Sequence, residues 1–199
     1  MAAQTPPHAG RREPPAGGQN LVRRATRQRH SGGREIRRCG LTAVWRIGYC
    51  EHPAPALGQL LSALGLGSTL GHGRWHTKGL LQMVYAGSSR ALCQLEKRVH
   101  CNGATPKNQA LMRLEIPDTA TLLDAPDWGL QADWRTDEAS AQSLGMQWLT
   151  SGVSLGLWVP SYVEPSERNL LLNPAHPDYG TITLVLERQP FVFDPRLFV

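Results

Sequence analysis

The chain has 199 residues and a formal charge of +5 at neutral pH, a length that fits one domain, or one domain with a tail. The charge is uneven: residues 1–40 hold nine Arg against two Glu, and the rest holds twelve Lys or Arg against fourteen Asp or Glu. The bulk of the chain is therefore near neutral, which argues against a nucleic-acid surface on the domain itself, and no long apolar run marks a signal peptide or a membrane span.

Residues 1–38 are rich in Pro, Gly, Gln and Arg without apolar periodicity. Such a segment buries too little surface to offset its ordering entropy, so a disordered basic tail is expected, followed by one domain over 39–199. A basic arm, an inert tail and an upstream start codon all fit this stretch. The four cysteines at 39, 50, 93 and 101 show no paired spacing, which points to reduced thiols and a cytoplasmic location.

Leu41 to Ile47 reads as a first strand, with Val44 and Trp45 as bulky β-formers. Leu57, Leu60, Leu61 and Leu64 recur at helical spacing within Pro53 to Leu66. The stretch Gly71-His72-Gly73-Arg74-Trp75-His76-Thr77-Lys78-Gly79 then reads as a loop. Its glycines suggest φ > 0 or close approach of backbone to a ligand. A short apolar run through Tyr85 predicts a strand. Ser88-Ser89 predicts a helix start, because Ser caps well. That helix runs from Arg90 to about His100, with Ala91, Leu92, Leu95 and Val99 as its apolar stripe and Glu96 at the edge.

Asn102-Gly103 marks a turn. Met112, Leu114 and Ile116 alternate with polar residues and predict a half-buried strand, and Leu122-Leu123 a further short one. Asp124 to Arg135 reads as loop. Asp137 to Thr150 predicts a helix ended by Gly152. Leu155–Val159, Asn169–Leu172, Thr181–Leu186 and Phe191–Phe193 are expected to complete the sheet. Helices and strands mix without βαβ alternation, so the fold class is α+β.

Glu96 on the edge of an apolar stripe is partly desolvated, and such a carboxylate needs a partner or a job. Arg74 in the loop offers a fork of donors suited to phosphate. The plain reading of the same residues is a surface loop, a core-edge tyrosine and a solvated Glu. Gly152-Val153-Ser154-Leu155-Gly156 matches a nucleophile elbow in letters, but the expected order is helix then strand, the reverse of what an elbow requires. Cys93, His100 and Cys101 lack zinc spacing, so no metal is expected, and no dinucleotide fingerprint follows a strand. Asn169, Asn173 and His176 follow Ser161, and the two Asn read as turn residues.

The succession Trp45-Arg46, Gly73-Arg74-Trp75, Gly79, Val84-Tyr85, Glu96, Val159-Pro160-Ser161, Asn169, Asn173-Pro174 and Phe193-Asp194-Pro195-Arg196 resembles the RES-domain family, from about Leu41 to the C-terminus. The resemblance implies an ADP-ribosyltransferase-like fold, with mixed β-sheets around an NAD cleft. It implies the toxin of a toxin–antitoxin pair, degrading NAD as substrate rather than cofactor by cleaving the nicotinamide–ribose bond. Water, phosphate or a protein would accept the ADP-ribose, and a non-catalytic module of the same fold is the alternative. A helix-turn-helix antitoxin is the implied partner in a hetero-oligomer, so nucleic acid is met only through that antitoxin. Carried over residue by residue, Glu96 is the acid, Arg46 and Arg74 are pyrophosphate ligands, Tyr85 contacts nicotinamide or ribose, and Ser161 bonds substrate or Glu96. The sequence departs from the family pattern at His72 and His76, where Gly and Asn are usual, and at Ile47, where some members carry a ring.

Overall fold

A computed structural model describes residues 40–198, so the expected tail over 1–38 lies outside the described residues. Seven strands and three helices follow one another: β1 Leu41–Tyr49, α1 Leu57–Ala63, β2 Val84–Gly87, α2 Arg90–Val99, β3 Gln109–Pro117, β4 Leu122–Asp124, α3 Glu138–Ser151, β5 Gly156–Pro160, β6 Arg168–Leu172 and β7 Thr183–Arg188. Short 3₁₀ turns lie at Leu66–Thr69, Pro177–Thr181 and Pro195–Phe198. The fold is α+β. Among the described residues, no helix is long and apolar enough to cross a membrane.

The strands form one sheet in the order β4-β5-β6-β2-β1-β3-β7, antiparallel except between β4 and β5. Its two halves meet at a narrow joint. β1 pairs with β3 along its whole length, but with β2 only at Trp45 and Gly87. Beyond that pair the ladder stops, and the carbonyl of Tyr85 needs another donor. Arg46 supplies it: its guanidinium donates to Tyr85 O at 2.7 Å and to Leu64 O at 3.1 Å. A side chain thus continues the joint where backbone pairing fails.

Period-two alternation puts different residues on the two faces of the sheet. Val84, Ala86, Leu170 and Leu172 pack with Leu60 and Leu61 of α1 and with Leu64 just past its end. Leu157, Val159 and Leu171 pack on the other face with Trp75 and with Ala141, Trp148 and Leu149 of α3. Tyr85 stands in register with Leu171 and leans on that second cluster, so β2 presents it on the α3 side. The site develops on this face, between α3 and α2.

Two expectations fail. Phe191–Phe193 is not a strand; it leaves the sheet after Arg188, and its rings pack with Phe198 above Ile47, Cys93 and Leu111. One main-chain bond, Phe191 N to Gln109 O at 2.7 Å, ties the segment to β3, and aromatic burial holds the rest. The stripe expected on α2 is rotated as well: Leu92 and Cys93 are buried, while Leu95 and Val99 are 43% and 51% exposed. The inward face of α2 therefore runs through Leu92, Cys93 and Glu96, which places the acid nearer the interior than its sequence neighbours suggest.

Candidate active site

Ser89 starts α2 by accepting from Leu92 N at 3.1 Å, as its position predicts. A second tie fixes the direction of the helix. Ser88 and Ser89 both donate their hydroxyls to Glu167, at 2.9 and 2.6 Å. The start of α2 is thereby bound to the segment that leads into β6, and two turns later Glu96 faces β6 itself.

There the Glu96 carboxylate meets two donors on one oxygen. Ser161 Oγ donates to Oε1 at 2.9 Å and Asn169 Nδ2 at 2.7 Å. Ser161 is wholly buried, and its hydroxyl also accepts from Val163 N and Glu164 N at 3.1 and 3.0 Å. It orients the acid and the 161–164 turn together. The second carboxylate oxygen, Oε2, is left without a partner among the described residues, and Glu96 lines the cavity. Charge at a site is most useful when its group is held without being neutralised, and two neutral donors do that.

The glycine loop closes through a tight turn. Gly73 N donates to His76 O at 3.0 Å, and His76 N to Gly73 O at 3.4 Å. Arg74 and Trp75 occupy the tip. Positive φ is not the reason for the glycines here; Gly103, Gly129 and Gly152 have it, the loop glycines do not. Gly73 matters through space, since a Cβ would run into the His76 ring and the Tyr85 hydroxyl. Trp75 is buried under α3 and stacks on Trp134, with centroids 5.4 Å apart. That anchoring leaves Arg74 facing outward, its guanidinium 4.2 Å from the centre of the Tyr162 ring, paired with Glu138 at 3.5 Å and donating to Arg135 O at 3.3 Å.

Between α2, the glycine loop and the 161–164 turn lies a cavity of about 440 Å³, within the range of small-molecule sites. Arg46, Arg74, Tyr85 and Glu96 all line it, and Ser161 stands behind Glu96. The structure thus gathers the five residues carried over from the resemblance as site residues. Arg46 makes no ion pair among the described residues, and its buried Nε has no partner. A buried guanidinium without a carboxylate is costly, and an anion in the cavity would relieve that cost. Burial lowers its pKa from the ordinary value.

Burial dominates the other titrations around the cavity. It pushes the Cys93 thiol up to about 11 and the Tyr85 hydroxyl well above the ordinary tyrosine range. It lowers Lys97. Cys93 is accordingly a neutral thiol, donating to Trp45 O.

Two residues matter more than the sequence suggested. Asn169, read as a turn residue, sits inside β6 and holds Glu96. An Asn within the apolar run Asn169-Leu170-Leu171-Leu172 was the available signal, since a buried amide needs partners. His76, read as a departure from the family pattern, is buried, with Nδ1 2.7 Å from the Tyr85 hydroxyl and Nε2 3.0 and 3.1 Å from Ser68 O and Gly71 O. Nothing in its sequence position announced that. Asn173 does act on backbone, donating to Leu149 O at 3.0 Å. Ser154 is buried with its hydroxyl used by Trp148 Nε1 and Gly156 O, so it is no nucleophile. Among the described residues, no group of three or more His, Cys, Asp or Glu gathers where a metal could sit.

The family model described as the RES domain matches residues 43–194. Toxin Res of Yersinia enterocolitica is 40% identical over 137 residues, which cover 67% of this chain and 88% of that protein. The Prs ADP-ribosylating toxin of a Sphingobium species is 41% identical over 138 residues, covering 67% and 84%. In fold, the chain is similar to a chain of the Mycobacterium tuberculosis MbcT–MbcA toxin–antitoxin complex, with a TM-score of 0.57 at 19% identity over 80% of this chain and 88% of that one. Extent of match and identity together place the protein: it belongs to the RES-domain family.

Proposed function

We propose that the protein is the toxin of a toxin–antitoxin pair and destroys NAD by breaking the bond between nicotinamide and ribose. The observation that carries this reading is the pairing of an oriented, un-neutralised carboxylate, Glu96, with the unpaired Arg46 guanidinium across one cavity. That combination suits a ligand that is anionic at one end and becomes cationic at another. In this reading Arg46 and Arg74 hold the pyrophosphate, and Tyr85 stands by the ribose and nicotinamide.

The chemistry needs one acid. The C1′–N bond breaks with its electron pair going to the pyridinium nitrogen, so nicotinamide leaves neutral and requires no proton. Positive charge then develops on the ribose ring, as in glycoside cleavage. Glu96 stabilises it through the free oxygen, while Ser161 and Asn169 keep the carboxylate in place. An acceptor, whether water, phosphate or a protein side chain, then bonds to C1′ and loses its proton to solvent. NAD is the substrate, and the reading calls for no resident cofactor.

The relatives' names support the toxin reading: two are called Toxin Res and an ADP-ribosylating toxin, and the solved structure is of a toxin–antitoxin complex. A cytoplasmic pair with a helix-turn-helix antitoxin, reaching nucleic acid only through that partner, follows as the partnership to test. The purified chain should release nicotinamide from NAD, with a mass spectrum of the adenine-containing product naming the acceptor. Expression alone should arrest growth, and co-expression of the adjacent small gene should relieve it. A folded chain that neither consumes NAD nor harms its host would instead be a binding module.

A further inference from the structure

The buried His76 fixes which way the Tyr85 hydroxyl faces. We propose that His76 is a positioning residue that makes Tyr85 a hydrogen-bond acceptor toward the cavity, so that this position takes a hydroxyl or amide N–H of the ligand and refuses a phosphate oxygen.

The tautomer follows from the partners. Nε2 lies 3.0 and 3.1 Å from Ser68 O and Gly71 O. Carbonyls only accept, so Nε2 carries the hydrogen. A neutral imidazole has one N–H, and Nδ1 is then an acceptor. Its one neighbour at hydrogen-bond distance among the described residues is the Tyr85 hydroxyl at 2.7 Å, which must donate. The Trp75 main-chain N–H also points at the phenolic oxygen, so what Tyr85 has left for the cavity it lines is a lone pair. A sugar hydroxyl or a carboxamide can donate to it; an ionised phosphate oxygen cannot.

Protonation of His76 inverts this. Nδ1–H would then face the tyrosine oxygen, and the phenolic hydrogen would turn elsewhere. Burial opposes that state, while the two carbonyls favour it and His72 in the same loop disfavours it. From the other elements, Tyr85 of β2 is the direct neighbour, with Arg46 of β1 and Glu96 of α2 acting on Tyr85 in turn. Below the pH at which His76 charges, the acceptor is lost and ligand recognition weakens.

The assignment rests on the NAD-cleaving reading only for its kinetic arm. The other arm is nuclear magnetic resonance of the full chain with labelled histidine. The His76 ring should show the Nε2–H form, and Tyr85→Phe should shift Nδ1 alone. An Nδ1–H form, or no response to Tyr85→Phe, overturns the proposal whatever the activity. For the kinetic arm, Asn at 76 places its amide oxygen near the position of Nδ1, whereas Gln reaches the Nε2 partners. His76→Asn should therefore exceed His76→Gln in kcat/KM by about fivefold, the worth of one net hydrogen bond. The wild-type fall in kcat/KM on the acid side, set below the ordinary histidine range because burial lowers the His76 pKa, should be missing in His76→Asn. Equal rates in the two variants, with the acid fall retained, would reduce His76 to a loop staple. No turnover in any form would defeat the NAD reading and leave the resonance result to stand alone.

Discussion

The main-chain carbonyl of Trp75 rests directly on Gly145 of α3, in the space a side chain would occupy. One turn earlier, Gln142 Nε2 donates to Gly73 O at 3.0 Å. The helix therefore holds both ends of the turn that carries Arg74. Ala is the better helix former by about 1 kcal/mol, so Gly145→Ala would stabilise an exposed helix. Here the obstruction is backbone and cannot swing aside, and overpacking costs about 1–3 kcal/mol. A lower melting temperature is expected, with the loop displaced and KM for NAD raised. A higher melting temperature would show that the loop is not packed on α3 as described.

The donors on Glu96 separate charge from orientation. Glu96→Gln keeps shape and hydrogen bonding but removes the charge, and should lower nicotinamide release by a hundredfold or more, on the order of the loss of one such electrostatic contact. Asn169→Ala removes one orienting donor and should lower kcat by about tenfold with KM little changed. Ser161→Ala should affect both constants, because Ser161 also holds the turn that carries Tyr162 and Val163 into the cavity. Initial rates of the three purified variants, beside circular dichroism, check this. Near wild-type turnover of a folded Glu96→Gln would make the acid structural.

Much of this arrangement was legible in the sequence, because local signals fix local structure. Periodicity located α1, periodicity with a Ser cap located α2, a terminal glycine marked the end of α3, and alternation located β3. Arg46, Arg74, Tyr85 and Glu96 came from a resemblance in motif order, and folding brings them to one cavity. The rest depended on contacts between distant segments. The turn of α2 about its axis follows from the Glu167 tie to Ser88 and Ser89, some eighty residues away, and no stripe of leucines reports it. Phe191 and Phe193 have strand letters and fill an aromatic cluster instead. The joint where Arg46 replaces ladder pairing is visible only once β1 and β2 are side by side.

His76 should also leave a mark on stability. Its pKa is lowered in the fold, chiefly by burial, while in the unfolded chain it takes a proton near pH 6.5. Below that pH the unfolded state binds more protons than the folded one, so stability falls as pH falls. The contribution is complete above about pH 6.5 and is lost as pH drops toward the lowered folded value. Melting curves of the wild type and of His76→Asn between pH 7.5 and 5 should diverge on the acid side, the wild type losing more. Parallel curves would mean that His76 accepts its proton as freely in the fold as outside it.

Arg46 and Arg74 line the same cavity but are held differently, and their variants should behave differently. Arg74 is anchored by an ion pair to Glu138, which is 54% exposed, and by the Tyr162 ring. An exposed pair contributes about 0–1 kcal/mol, so Arg74→Ala should fold nearly as well as the wild type. Its loss should appear as a higher KM for NAD with kcat less changed, since a phosphate ligand acts on ground and transition states alike. Arg46 donates to two backbone carbonyls at the joint of the sheet. Arg46→Met leaves both without a donor, at about 1–3 kcal/mol for each buried group left unsatisfied. It should therefore lower the melting temperature as well as weaken binding. Lys cannot span both carbonyls with one ammonium, so Arg46→Lys should recover only part of the stability. The discriminating comparison is thermal melting with and without saturating NAD, on the Glu96→Gln background so that the ligand survives. Arg74→Ala should lose the ligand-induced rise while keeping the basal melting point, and Arg46→Met should lose both. Equal basal losses for the two variants would show that Arg74, too, is part of the scaffold.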